Sequence, residues 1–265
     1  MGCGEAKRSM TDGVLTNMLI GPQISPDDAA LAVRLATVRT AIAAAAAASG
    51  RSEDSITLIA VSKGHCAERI RQAAGLGVRD LGESYLQEAL NKRTALAALP
   101  LSWHFIGRLQ ANKTRAVAEQ FDWVHGVERL HIAERLSAQR PAVLAPLQVC
   151  IQVNVAGETR KGGAEPSALP ALAEAIGRLP RLRLRGLMCI LPAGLEPARN
   201  LALFSTVRTL LQQLDDGAGR LDTLSMGMSG DFAEAIAAGA TQVRIGTALF
   251  GPRAPDIAPS TAGLG

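Results

Sequence analysis

The run Ile56-Thr57-Leu58-Ile59-Ala60-Val61-Ser62-Lys63 decides the fold of this chain. It is short, apolar and rich in β-branched residues, which is typical of a parallel strand that is buried on both faces. Proteins built on such strands place their functional groups just past the carboxyl ends of the strands. Lys63, with Gly64 directly after it, is therefore the first candidate site residue.

Lysine is scarce in this chain. Only five of its 28 basic residues are lysines, and the others are arginines. A lysine amine can lose its proton when it is desolvated and can then attack a carbonyl, whereas a guanidinium keeps its charge. Lys63 is therefore a candidate nucleophile, although from this stretch alone a solvated strand-end lysine is the simpler interpretation.

Strand-like and helix-like segments alternate along the rest of the chain. The eight predicted strands cover residues 56–63, 78–81, 102–106, 123–126, 147–155, 182–190, 223–226 and 242–245. Eight such units without a linker predict an α/β protein, a single (β/α)8 TIM barrel. A doubly wound open sheet is the rival fold, but the residues after the first strand do not match its GxGxxG fingerprint.

The two ends of the chain lack this periodicity. Residues 1–27 mix Gly, Ser, Pro and charged residues, so we predict a mobile N-terminal extension. The barrel is predicted to span residues 28–253, and residues 254–265 are predicted to form a mobile C-terminal tail. A helix over residues 29–49, capped by Asp27 or Asp28, is predicted to precede the first strand.

The composition excludes several classes of function. The net charge of +4 is mild, and no block of basic residues is interleaved with aromatics, so nucleic-acid binding is not expected. The four cysteines have no CxxC or CxxH spacing, which argues against a zinc site and a disulfide framework. No apolar run is interpreted as a membrane span, and no signal peptide is recognised. We therefore expect a cytoplasmic protein with no membrane association.

Polar residues near the ends of the central strands are further candidates, because a barrel assembles its site at the strand ends. The polar candidates are Ser84, His104 and Asn154, and the nonpolar Met188 lies at the end of another strand. His125 and His131 fall near predicted helix starts, and we interpret them as capping or surface groups.

The segments after the last two strands carry small and hydroxyl residues. The first reads Met228-Ser229-Gly230-Asp231, and the second reads Arg244-Ile245-Gly246-Thr247. Backbone N–H groups and hydroxyls in such segments form the phosphate site of many barrels. Ordinary turn chemistry explains either segment alone about equally well, since Ser-Gly-Asp also caps helices.

An amine after strand one and a phosphate site after strands seven and eight indicate a ligand with both a carbonyl and a phosphate. Pyridoxal phosphate (PLP) fits, and so does a phosphosugar held as a Schiff base. Arg244 favours PLP, because an arginine beside the pyridine nitrogen donates a hydrogen bond to it and keeps it unprotonated. A cofactor paired in this way is a weaker general catalyst.

Several segments resemble one family when they are taken together. They read IAVSK, LGESYLQEALNK, WHFIGRLQANK, RLRLRGLM and LSMGMSGDFAEAIAAGATQVRIGTALFG. In combination they are similar to the pyridoxal phosphate homeostasis proteins, also called the YggS or PROSC family, over about residues 30–253.

The resemblance implies a barrel like the N-terminal domain of alanine racemase, with PLP as its cofactor. By motif position Lys63 is expected to form the Schiff base, and Arg244 is expected to face the pyridine nitrogen. The expected phosphate ligands are Ser229, Gly246 and Thr247. The remaining expected cofactor contacts are Asn154, His104, Met188, Ser84 and Met228. The resemblance implies no catalytic residue and no metal site.

The resemblance also implies that the protein carries or buffers PLP, with apo-enzymes that use PLP as candidate recipients. A low-activity amino-acid racemase or a Schiff-base lyase is the alternative. A racemase needs a second base on the opposite face of its substrate, which a separate domain supplies, and the chain ends shortly after its eighth strand. We therefore expect no established catalysis. We also expect a monomer.

The chain departs from the pattern of the family at several positions. His65 stands where a second lysine is frequent, Ser84 stands where asparagine is common, and Gly230-Asp231 replaces two acids. Exchange of the cofactor is expected to differ because of His65. Lys161, on the loop after strand five, is the remaining candidate for a secondary contact, although a solvated loop lysine is the simpler interpretation.

Overall fold

The structure, a computed structural model, describes residues 26–158, 162–215 and 219–252. Within these ranges eight parallel strands close into a barrel with helices on its outside, which confirms the predicted (β/α)8 fold. The predicted tail of residues 254–265, nearly all of the predicted extension of residues 1–27, and Lys161 lie outside the described residues.

The strands follow one another around the barrel in chain order, and the last strand pairs with the first. They are β1 Thr57–Val61, β2 Asp80–Glu83, β3 Ser102–Phe105, β4 Trp123–Val127, β5 Leu147–Gln152, β6 Leu182–Met188, β7 Thr223–Ser225 and β8 Gln242–Ile245. All neighbouring pairs are parallel. The carboxyl ends of all strands therefore lie at one mouth of the barrel, which we call the carboxyl mouth.

Helices precede β1 and follow the strands. They are α1 Pro26–Ala48, α2 Ala67–Gly75, α3 Leu86–Ala95, α4 Thr114–Gln120, α5 Leu130–Gln139, α6 Leu169–Gly177, α7 Pro197–Leu214, α8 Phe232–Ala237 and α9 Thr247–Phe250. The sequence does not predict α9, a single turn directly after β8. Because α1 begins at Pro26, Asp27 and Asp28 lie in its first turn and do not precede the helix as the predicted cap.

The second strand lies two residues further along the chain than predicted. The sequence predicts residues 78–81 followed by a turn, whereas β2 includes Gly82 and Glu83. A Cβ atom on Gly82 would stand 3.0 Å from Ile59 and 3.1 Å from Ile106. The glycine is thus required by close packing of side chains between strands, and it does not mark a turn.

The first helix, α1, packs against α8 and α9. Its buried stripe consists of Leu31, Leu35, Val38, Ile42 and Ala46. By length and composition alone residues 29–48 would also pass as a membrane span, contrary to the expectation that no apolar run is long enough. The buried stripe gives this helix a packing role in the barrel.

The inside of the barrel contains a layer of polar side chains. His104, His125, Ser225 and Arg244 are all buried, and each is the third residue of its strand. His125 Nδ1 and Ser225 Oγ are hydrogen-bonded at 2.8 Å. Because β4 and β7 are not neighbouring strands, this bond crosses the interior of the barrel. Barrel interiors are usually filled by branched aliphatic side chains. This interior is therefore specialised for something other than packing.

A single glycine sets the spacing between β6 and β7. Gly186 pairs with Thr223, and a Cβ atom on Gly186 would stand 1.9 Å from the Thr223 carbonyl oxygen. No side chain fits there without moving the β7 backbone. Gly186 also follows the register shift between β5 and β6. This position therefore determines how closely β7, which carries Ser225, approaches its neighbour.

Replacing Gly186 should destabilise the barrel. We expect Gly186→Ala to lower the free energy of unfolding by on the order of 3 kcal/mol or more, because the new methyl group overlaps the β7 backbone. Gly177→Ala, at the end of α6, is the matched control, since nothing lies within 4 Å of its Cβ position. The control should be neutral or stabilising by up to about 1 kcal/mol. Urea unfolding followed by circular dichroism measures both, and an unchanged midpoint for Gly186→Ala would contradict the described packing.

Candidate functional site

Lys63 lies two residues past the end of β1, in a turn at the carboxyl mouth, and its side chain is half-buried. The Ser62 N–H donates to the Gly82 carbonyl at 3.1 Å, and the His65 N–H donates to the Ser62 carbonyl at 3.1 Å. Gly64 adopts a φ of 77°, which L side chains rarely adopt. The backbone of the loop is therefore fixed on both sides of the lysine.

A buried ionic cluster fixes the loop that carries Lys63. The Nζ atom of Lys92, on α3, donates to Glu83 Oε1 at 2.6 Å, to Glu88 Oε1 at 2.6 Å and to the Ser62 carbonyl at 2.7 Å. Glu88 Oε1 also accepts the Gly64 N–H at 2.6 Å. All three N–H groups of the Lys92 ammonium are therefore used, so this lysine is a structural clamp and Lys63 is the candidate nucleophile.

The cluster could have been found only partly from the sequence. Glu88 and Lys92 have the i, i+4 spacing of a helical ion pair. Only the tertiary structure shows that Lys92 is 5% exposed and that it also forms an ion pair with Glu83. Burial raises the pKa of the Glu83 carboxyl from its ordinary value, while Lys92 beside it acts in the opposite direction.

Arg244 is a buried cation in the third position of β8, and its residue is 4% exposed. Its Nη1 donates to Ser225 Oγ at 2.7 Å, and its Nη2 donates to the Cys189 carbonyl at 2.8 Å. In the described part of the chain no carboxylate forms an ion pair with it, and three of its five N–H groups lack an acceptor. Burial lowers the pKa of the guanidinium from its ordinary value. This arrangement fits an electron-rich ligand atom, because a buried cation needs further acceptors.

The segments after β7 and β8 present backbone N–H groups at the carboxyl mouth. Among the described residues, the amides of Ser229, Gly230, Gly246 and Thr247 have no hydrogen-bond acceptor. The Met228 amide is already used, because it donates to the Asp231 carboxylate at 2.6 Å. These open amides, together with the exposed hydroxyls of Ser229 and Thr247, can hold an anion such as a phosphate.

Barrel closure brings the lysine and these segments together. Because β1 pairs with β8, Ile59 lies beside Arg244 and Ala60 lies beside Ile245. A Cβ atom on Gly246 would be 3.4 Å from Val61, the last residue of β1. The loop that carries Lys63, directly after β1, and the open amides that follow β8 therefore lie at the same mouth of the barrel.

Two histidines lie within the barrel. His104 Nε2 is 3.0 Å from Asp80 Oδ1, and its Nδ1 is 2.9 Å from His125 Nε2. Since Asp80 is the first residue of β2, the His104 ring is turned towards the amino ends of the strands. The interpretation of His125 as a capping or surface group was wrong, because it is 0% exposed within β4. Burial lowers the pKa of His125 well below its ordinary value, and nearby charge on His104 and Arg244 acts in the same direction.

The other predicted contacts lie around the carboxyl mouth in different settings. Met188 is the last residue of β6, and it is buried and in register with Ser225. Ser84 directly follows β2 and is half-buried. Asn154, after β5, uses both ends of its amide, since Nδ2 donates to the Glu158 carbonyl at 3.0 Å and Oδ1 accepts the Glu158 N–H at 3.1 Å. Asn154 therefore closes its own loop in this structure.

The chain is similar to proteins of established families. The family model "Alanine racemase, N-terminal domain" matches residues 25–254. The "Pyridoxal phosphate homeostasis protein" of Pseudomonas aeruginosa is 57% identical over 223 residues, which cover 84% of this chain and 96% of that protein. The protein of the same name from Escherichia coli K12 is 49% identical over 226 residues, which cover 84% of this chain and 97% of that protein.

Solved structures give the same result. PipY of Synechococcus elongatus, solved with PLP bound, matches with a TM-score of 0.73 and 40% identity over 83% of this chain and all of that chain. Alanine racemase of Corynebacterium glutamicum matches with a TM-score of 0.61, 16% identity and coverage of 85% of this chain and 61% of that chain, a likeness of fold alone. The chain therefore belongs to the family of the pyridoxal phosphate homeostasis proteins, which is built on the barrel of the alanine racemase N-terminal domain.

Proposed function

We propose that this protein binds PLP through a reversible Schiff base on Lys63 and carries or buffers the cofactor inside the cell. The observation that carries the proposal is the pairing of β1 with β8, which sets Lys63 beside the segment that contains Arg244, Gly246 and Thr247. The names of the relatives and the PLP-bound PipY structure support the same ligand.

Lys63 supplies the amine for the covalent bond. Its uncharged Nζ adds to the aldehyde carbon, a C=N bond forms, and the aldehyde oxygen leaves as one molecule of water. Addition of water reverses the step and frees the aldehyde. A neutral amine is required for this addition. The bond is therefore suited to storage and release.

The segments after β7 and β8 hold the phosphate in this proposal. The amides of Ser229, Gly230, Gly246 and Thr247 are open, and the hydroxyls of Ser229 and Thr247 are exposed beside them. Backbone donors recognise a phosphate without a buried counter-charge. PLP without its phosphate should therefore bind less well.

Arg244 faces the ring nitrogen in this proposal. When bound, PLP can act as an electron sink, and it does so best with a protonated ring nitrogen. Arg244 can only donate a hydrogen bond, and it keeps that nitrogen unprotonated. The remaining members of the proposed contact set, around the ring and the rim, are Asn154, Met188, Ser84 and Met228. His104, which the sequence also predicts as a contact, is turned towards the amino ends of the strands and is left out of this set.

The groups beside Lys63 do not favour catalysis. Lys92 donates to Glu83, to Glu88 and to the Ser62 carbonyl, and Glu88 accepts the Gly64 N–H, so these groups hold the loop that carries Lys63. The named relatives are homeostasis proteins. We therefore propose a carrier, with a low-activity racemase or Schiff-base lyase as the alternative that the experiments below test.

The setting in the cell is part of the proposal. The three described cysteines are free thiols, which agrees with a reducing compartment such as the cytoplasm. Large exposed apolar side chains are scattered over separate elements, among them Val33, Val143 and Leu201, which agrees with a monomer. Apo-enzymes that use PLP are the proposed recipients of the cofactor. The barrel, predicted from the sequence to span residues 28–253, is the proposed PLP-binding unit.

Removal of the Lys63 amine should abolish covalent binding. We expect Lys63→Ala mixed with PLP to lack the visible absorbance of a Schiff base and to gain no mass after borohydride reduction. Lys113→Ala, which removes an exposed lysine on the 3-10 helix Ala111–Lys113, should behave as the wild type does. Peptide mass spectrometry locates the adduct. A wild-type protein that stays colourless with PLP, or an adduct on another lysine, contradicts the proposal.

Removal of the two hydroxyls should weaken phosphate binding alone. We expect Ser229→Ala combined with Thr247→Val to raise the dissociation constant for PLP roughly tenfold to a hundredfold, because each hydroxyl bonds to a charged group. The dissociation constant for pyridoxal, which lacks the phosphate, should stay within about twofold of the wild-type value, a difference of about 0.4 kcal/mol. Absorbance titrations measure both ligands. Equal weakening for both ligands would contradict the assignment of these segments to the phosphate.

The carrier proposal predicts no turnover of amino acids. Wild-type protein loaded with PLP should leave D- and L-alanine and D- and L-threonine unchanged when they are followed by chiral chromatography. A racemase or lyase would convert at least one of them, and Lys63→Ala would remove that conversion. Conversion that depends on Lys63 would therefore favour the alternative.

A further inference from the structure

A chain of hydrogen-bonded side chains crosses the inside of the barrel. Arg244 Nη1 is 2.7 Å from Ser225 Oγ, which is 2.8 Å from His125 Nδ1. His125 Nε2 is 2.9 Å from His104 Nδ1, and His104 Nε2 is 3.0 Å from Asp80 Oδ1. We call these five residues the interior chain. None of its links is longer than an ordinary hydrogen bond.

The interior chain runs from the proposed cofactor site to the opposite end of the barrel. Ser225 and His125 are fully buried, and His104 is 1% exposed. Asp80 is the first residue of β2, and its side chain is 28% exposed. Since Lys63 follows the carboxyl end of β1, the interior chain connects Arg244 to the mouth that lies away from Lys63.

The Arg244 end fixes the direction of the first two hydrogen bonds. A guanidinium has only donors, so Ser225 Oγ must accept from Nη1. Ser225 Oγ has no other hydrogen-bond partner among the described residues, so His125 Nδ1 is the acceptor there for its hydroxyl proton. A neutral His125 therefore carries its proton on Nε2.

The same reasoning fixes the two remaining bonds. His125 Nε2–H donates to His104 Nδ1, so a neutral His104 carries its proton on Nε2. That proton points to Asp80 Oδ1, and an ionised carboxylate can only accept. Ser102 Oγ, 3.1 Å from the same nitrogen, is the other polar group there. In every hydrogen bond the donor thus lies on the Arg244 side and the acceptor on the Asp80 side. The first residue can only donate, and the last can only accept.

The electrostatics agree with a neutral His125 ring. The charged or titratable groups that face His125 are His104 on β3 and Arg244 on β8, and both lower the pKa of His125 together with burial. A second proton on His125 would have to lie on Nδ1, where Ser225 already offers its own. The interior chain therefore accommodates one arrangement of protons.

We propose that Ser225 and His125 are positioning residues, which fix the Arg244 guanidinium so that its remaining N–H groups face the ring nitrogen of PLP, with Asp80 as the outer anchor. The proposal rests on the function proposed above. The interior chain orients Arg244 and does not deliver protons, because an arginine cannot release one to the ring. An apolar layer would fill the same space without the free-energy cost of burying the polar side chains of Ser225, His125 and His104.

The test compares two ligands that differ only at the ring nitrogen. We expect Ser225→Ala to raise the dissociation constant for PLP roughly tenfold, since Arg244 loses a hydrogen bond that orients it. For a carbocyclic analogue with C–H in place of the ring nitrogen, the same variant should match the wild type within about twofold. Ser225→Thr, which keeps the hydroxyl, should restore PLP affinity.

A matched control lies on the same strand. Thr223→Val removes a buried hydroxyl two residues earlier in β7, where Thr223 Oγ1 donates to Asp222 at 2.8 Å outside the interior chain. It should leave the affinities for both ligands within about twofold of the wild type. Thermal unfolding of the protein without ligand separates loss of structure from loss of positioning.

The outcomes separate this inference from the proposed function. Equal weakening for both ligands in Ser225→Ala, or no weakening for either, overturns the positioning role while wild-type PLP binding stands. If Ser225→Ala does not fold, Asp80→Ala at the partly exposed end is measured instead, and a severalfold loss for PLP alone is expected. Unchanged PLP affinity in Asp80→Ala overturns the inference. A wild-type protein that binds neither ligand contradicts the proposed function itself.

Discussion

The pairing of β8 with β1 is the constraint on which the rest of this molecule depends. It closes the barrel, and it puts residues from the two ends of the chain side by side, with Ile59 beside Arg244. Closure therefore brings the loop of Lys63, which follows β1, next to the open amides that follow β8. Helix α1 packs on α8 and α9, and Arg34 on α1 donates to the Leu249 carbonyl at 3.0 Å, so the first helix supports the same junction.

Two kinds of packing divide the barrel into layers. Between strands and helices the core is built from Leu, Val, Ile and Ala, with few aromatic residues, and its free energy comes from apolar burial. Inside the barrel buried histidine, serine and arginine side chains satisfy one another by hydrogen bonds. Buried polar groups are tolerable only when they are paired in this way. The helical shell thus stabilises the fold, while the interior is available for the site.

The two buried clusters act on different parts of the site. Lys92, with Glu83 and Glu88, fixes the loop that carries Lys63 from outside the strand ends. The interior chain holds Arg244 from within the barrel. A lysine that forms and releases a covalent bond needs a loop of fixed geometry, and a donor to a ring needs a fixed direction. Both requirements are met by side chains that do not contact the ligand in the proposed complex.

The sequence by itself determined the order of strands and helices and the barrel. It also selected Lys63 and the two segments after β7 and β8 as the candidate site. These predictions follow from periodicity, local composition and position after a strand. It placed β2 two residues early, because Gly82 resembles a turn locally and is required by packing. Only the tertiary structure decided that His125 is buried and bonded to Ser225, and that Lys92 clamps the Lys63 loop. Such bonds join residues as far apart as 100 positions in the chain, and no local pattern records which side chains meet after closure.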